Sequence, residues 1–80
     1  MKKNYIIEYS VKDKNGSIII NNKKMKAKNK INSLDAQISF EEFLKKKHLN
    51  FGKLIVHKCE EESIMNMFGG VFGDIFNGKL

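Results

Sequence analysis

Apolar and polar residues alternate from Tyr5 to Val11. Tyr5, Ile7, Tyr9 and Val11 fall on one side, and Ile6, Glu8 and Ser10 on the other. Period two with aromatic and branched residues predicts a β-strand with one buried face. Asn15-Gly16 follows, a strong hairpin signal because both residues accept positive φ. Ile18-Ile19-Ile20 resumes an extended pattern. The next apolar pair changes phase: Ile18 and Ile20 are even-numbered, Met25 and Ala27 odd. A regular strand cannot put both pairs on one face, so a bulge or tight loop within Asn21–Lys24 must shift the register. The expectation is a bent or broken second strand. The alternative is a long loop through Ile20, with pairing resumed near Asn22.

The period then becomes helical. Ala36, Phe40, Phe43 and Leu44 stand at i, i+4, i+7 and i+8, one stripe of an amphipathic helix. Asn32 or Ser33 can cap it, with Asp35 in the first turn, and Ser39-Phe-Glu-Glu42 is a second capping-box match. Lys45-Lys-Lys47 suits the negative end of the helix dipole. Leu54 to Cys59 is a third strand, with Leu54 and Val56 on one face and Ile55, His57 and Cys59 on the other. The expected fold is α+β: a three-stranded antiparallel sheet, ββαβ in order 2-1-3, with one packed helix. The chain forms a single domain, 1–80, made of a ββαβ body (1–62) and an apolar C-terminal helix (63–80).

That last helix is the most unusual segment. Phe68, Phe72 and Phe76 recur every four residues, and Ile64 and Leu80 extend the series. As a helix it carries Ile64, Met65, Phe68, Val71, Phe72, Ile75 and Phe76 on one side, with Asn66, Gly69, Gly70, Gly73 and Asn77 opposite. Three interior glycines cost about 1 kcal/mol each against alanine. Burying three phenylalanines returns roughly 1.5–3 kcal/mol apiece. Such a stripe needs cover, from the domain's own core, from a second copy, or from a protein partner. Ile64, Met67, Phe68, Gly69, Gly70, Val71, Phe72, Gly73, Ile75 and Phe76 are the candidate contact residues. Gly69-Gly-Val-Phe-Gly73 has the small-xxx-small spacing that lets backbones approach closely.

Charge adds a second candidate surface. The net charge is +6, and all fifteen basic residues are lysine. Lys23, Lys24, Lys26, Lys28 and Lys30, with Lys45, Lys46 and Lys47, form a candidate strip for a nucleic-acid backbone, with Tyr5 or Tyr9 as a stacking surface. Without arginine the usual bidentate reader of guanine is missing, so such binding would ignore sequence. A/T-rich codons for lysine, asparagine and isoleucine account for the same excess, and lysines also guard edge strands.

Catalytic chemistry has little support in the sequence. His57 and Cys59 are two potential zinc ligands where three or four are needed. Glu41-Glu42 and Glu60-Glu-Glu62 are adjacent carboxylates that do not converge on one point. No serine or cysteine stands in an activated context, and no phosphate-loop pattern occurs. No cofactor or metal is expected. One cysteine allows no internal disulfide. No apolar run reaches the length of a membrane span, and Glu8 interrupts the first apolar run too early for a signal peptide. The expected location is the cytoplasm, and membrane contact is not expected.

In size, A/T-biased composition and a compact ββαβ body with an apolar tail, the chain resembles small phage and prophage accessory proteins, including anti-defence inhibitors. The resemblance implies a non-enzymatic module that acts sterically, by occupying a host protein's surface. The competing class is a lysine-rich, sequence-nonspecific nucleic-acid binder.

Overall fold

The computed structural model describes residues 1–62 and 74–76, with side chains described for 1–62. The elements are β1 (Lys3–Asp13), β2 (Ile18–Lys30), α1 (Ser33–Lys47), β3 (Phe51–Glu61) and β4 (Asp74–Phe76). They form a four-stranded sheet in order β3-β1-β2-β4. β1 lies between β2 and β3 and is antiparallel to both, so the expected 2-1-3 arrangement with one helix holds. β4 joins the outer edge of β2 in parallel, with Met25 opposite Asp74 and Ala27 opposite Phe76. The C-terminal helix expected over 63–80 otherwise lies outside the described residues.

The alternation of β1 sets the two sides of the sheet. Tyr5, Ile7, Tyr9 and Val11 are buried with Met25 and Ala27 of β2 and Ala36, Phe40 and Leu44 of α1. The Tyr9 and Phe40 rings meet edge to face, their centroids 4.7 Å apart. Ile6, Glu8, Ser10 and Lys12 point to the opposite face, which no described helix covers.

The phase change in the second strand is a bulge within a continuous β2. Tyr9 pairs with Lys23 but Val11 with Ile20, so two steps on β1 match three on β2. Asn22 absorbs the extra residue at φ +50°. Asparagine tolerates this left-handed region better than other residues with a Cβ. The bulge brings Ile20 back to pack on the core. A second shift nearer the hairpin leaves Ile18 exposed. A further bulge places Asn29 at φ +60° between the pairs Tyr5–Ala27 and Lys3–Lys30.

The hairpin differs from the sequence expectation. Gly16 has φ +88°, whereas Asn15 is not in the positive-φ region. Gly16 N–H donates to the Asp13 carbonyl at 3.0 Å, and Asp13 N–H donates to the Ser17 carbonyl at 2.8 Å. This is a turn closed by a single left-handed glycine rather than a two-residue turn with both centres left-handed. The Asp13 carboxylate decides it by accepting the N–H groups of Asn15 and Ser17, each at 2.9 Å.

α1 starts at Asn32, whose side chain accepts the Asp35 N–H at 2.8 Å. Asp35 answers by accepting the Ile31 N–H at 2.9 Å. The first capping signal therefore prevails over the one at Ser39. Ser39 lies inside the helix and donates to Asp35.

Candidate functional site

A cleft of about 80 Å³ lies between the carboxyl-terminal half of α1 and the sheet. Tyr9, Ile20, Met25, Phe40, Phe43 and Leu44 line it, with Lys47 and His48 beside them. Each element contributes for a local reason. β1 supplies Tyr9 from its buried series. The Asn22 bulge lets Ile20 and Met25 serve the same face. The helical period brings Phe40, Phe43 and Leu44 to the sheet. His48 caps α1 through its backbone N–H to the Leu44 carbonyl, so its ring sits where the helix ends.

The rim is basic. Lys47 Nζ stands 5.3 Å from the centre of the Phe43 ring, a cation–π approach. Phe43 in turn stacks on Phe40 at 6.4 Å with the rings 19° from parallel. A mixed polar and apolar lining with one lysine at its mouth favours a small side chain that adjoins a negative charge. The volume is far below the 300–1,000 Å³ of cofactor pockets. It suits a single aliphatic side chain.

The eight lysines named from the sequence do not form one strip. Lys24 and Lys26 face away from α1, opposite Glu8 and Ile6, while Lys23 pairs with Tyr9 on the helix side. Glutamates lie among them: Lys24 is 4.0 Å from Glu8 and Lys26 is 2.8 Å from Glu62. Lys58, on the same face as Lys24, is 3.2 Å from Glu60. Lys28 is half-buried. Lys30 is buried; that burial lowers its pKa, Asp35 raises it and Lys2 lowers it further. Lys45 bridges to Glu41 at 3.6 Å, Lys46 is exposed and Lys47 belongs to the cleft. Tyr5 and Tyr9 are core residues and offer no stacking platform.

His57 and Cys59 do not share a face. Glu8 pairs with Lys58 and Tyr9 with Val56, so His57 is the extra residue of a bulge. The bulge turns Cys59 to the helix side, where its thiol lies 3.9 Å from the Ser33 carbonyl oxygen. Among the described residues no group of three or more His, Cys, Asp or Glu is arranged to hold a metal.

The same bulge makes a contact that the sequence did not announce. His57 Nε2 lies 2.8 Å from Ser10 Oγ. This resembles a nucleophile and its base, but Ser10 is only 3% exposed and its oxygen already accepts the Asn22 N–H at 2.9 Å. Asn21 Oδ1 is a third neighbour at 3.5 Å. The serine ties two bulged strands to the central one. Only the unexpected register shift in β3 could have exposed the pairing, and nothing in the alternation of β3 signals it.

Of the C-terminal contact residues, Ile64, Met67, Phe68, Gly69, Gly70, Val71, Phe72 and Gly73 lie outside the described residues. Ile75 and Phe76 belong to β4. Among the described residues no helix is long and apolar enough to cross a membrane. Comparison with protein families, curated proteins and solved structures gives no match.

Proposed function

We propose that the chain is a small protein-binding module, with the cleft beneath the end of α1 as its anchor pocket. The observation that carries this reading is the cleft itself: six aromatic and aliphatic residues along it, a lysine and a histidine beside them, and room for one side chain. Interfaces take most of their energy from a few anchors seated in such pockets. The partner segment would present an aliphatic side chain next to an aspartate or glutamate. Leu34 and Ile38 of α1 and Ile31 before it are exposed apolar residues away from the cleft. The glycines Gly69, Gly70 and Gly73 belong to the same reading as a second contact element, and β4 ties the end of their segment to the body. Binding of this kind works by steric occlusion and needs no catalytic group.

The nucleic-acid reading is weaker because glutamates pair with the lysines that would meet phosphate. The test is retention of interacting proteins from cells by the intact chain, compared with Lys47→Glu and Ile20→Glu. A partner lost tenfold or more with both variants, at unchanged helix content, supports the cleft. Equal retention by wild type and both variants removes it.

A further inference from the structure

The path between β3 and β4 is constrained by its ends. β3 and β2 are each antiparallel to β1, and β4 is parallel to β2. β3 and β4 therefore run the same way at opposite edges of the sheet. The chain from Glu62 to Asp74 must cross the two strands between them. Three interstrand spacings make roughly 14 Å, and twelve residue steps reach at most about 40 Å. Climbing over α1, a helix about 10–12 Å thick, would take nearly all of that length. The face opposite α1 offers a short path.

Handedness selects the same face. β2, α1 and β3 already form one connection between parallel strands of this sheet, travelling from the β2 side to the β3 edge. The connection from β3 to β4 travels back. Crossovers between parallel strands are right-handed in about 98% of cases, and two right-handed crossovers in opposite directions lie on opposite faces.

The last described residue before the crossing has already turned that way. Glu62 N–H donates to the Asn4 carbonyl at 2.8 Å. Its carboxylate reaches Lys26, on the face away from α1, at 2.8 Å. The two side chains are only 5% and 17% exposed, although no described helix or strand lies over that face.

We infer that the open face of the sheet is the docking surface for the chain's own residues 63–73. The floor there is Ile6 and Ile55, both half-buried, with half-buried Glu8 and buried Ser10 of β1 between them and Lys24, Lys26 and Lys58 around. Phe68 and Phe72 are the segment's groups for the two isoleucines. The molecule then has three layers, and the lysines of the open face carry their charges at its margin.

The test is a nuclear Overhauser map of the intact, isotope-labelled chain. Contacts from the Phe68 or Phe72 ring protons to the methyl groups of Ile6 and Ile55 are expected within one molecule. Contacts to Leu34 or Ile38 in their place would overturn the inference. So would the absence of contacts to either face, or contacts seen only between differently labelled copies in a mixed sample.

Discussion

Ser10 Oγ accepts the backbone N–H of Asn22 at 2.9 Å, at the point where Asn22 turns left-handed. One side chain of the central strand thereby holds the bulge of its neighbour. Ser10→Ala should leave that N–H without its partner and cost about 1–3 kcal/mol. Asn22→Gly should be nearly neutral. Asn22→Val should cost roughly 1–2 kcal/mol, because a Cβ is disfavoured in this region. Urea unfolding of the three variants measures the order. A Val variant as stable as the Gly variant would refute the bulge.

The start of α1 rests on Asn32 and Asp35 answering each other across the first turn. Asn32→Ala should destabilise by about 0.5–2 kcal/mol, read from the urea midpoint at constant slope. Asn32→Asp keeps an acceptor at the cap and should recover most of the loss.

Asp35 gives the same turn a pH dependence. The Ile31 N–H draws its pKa down; burial pushes it back up, and Ser39, Lys30 and Lys2 add to the lowering. A carboxyl whose folded pKa lies below its unfolded value, near 3.9, contributes stability that is complete above that value. The contribution is lost as pH falls through the lower folded value. Stability should therefore decline below about pH 4 in the wild type, and the decline should be shallower in Asp35→Asn. Thermal midpoints from pH 2 to pH 7 show whether the gap between the two curves narrows as pH falls.

Gly52 is confined by the hairpin. A Cβ placed there would run into the backbone carbonyl of Asp13 and crowd Lys14 N at 2.9 Å. Backbone cannot swing aside as a side chain can, so Gly52→Ala should cost at least about 1–3 kcal/mol. The loss should localise: amide exchange should speed up at Lys14, whose N–H donates to the Asn50 carbonyl at 3.1 Å. Uniform loss of protection with Lys14 unaffected would contradict this placement.

The interleaved glutamates bear on nucleic acid. Binding to duplex or single-stranded DNA should be weak near physiological salt. Its logarithmic salt slope should match only one to three phosphate contacts. Glu8→Gln and Glu60→Gln should each strengthen it. A slope of six or more in the wild type would restore the lysine strip as a working surface.

Much of this architecture was readable beforehand because β1 alternates without interruption and α1 keeps its stripe. Both patterns put whole faces in or out of water, so local and tertiary preferences agree. The bulge at Asn22 was readable for the same reason, since Ile20 and Met25 could reach one core only through an odd insertion. The bulge at His57 was not. Ile55, His57 and Cys59 alternate smoothly, and only pairing with β1 reveals the extra residue. The cleft has no sequence signal because its walls come from three elements, and each wall looks like ordinary core in its own segment. The lysines misled in the opposite way. A dense run in sequence was divided between two faces, and glutamates distant in the chain came in beside it.

Bulged β3 also bears on how the protein behaves at high concentration. No described strand lies outside β3, and Leu54, Ile55 and Val56 are all half-buried there. A straight edge of that composition would template the addition of further chains, the first step towards fibrils. The extra residue at His57 breaks the ladder just past this apolar run. Lys53 and Lys58 bracket the stretch with like charge. In a chain without proline, this kink is its local safeguard against solidifying into stacked sheets.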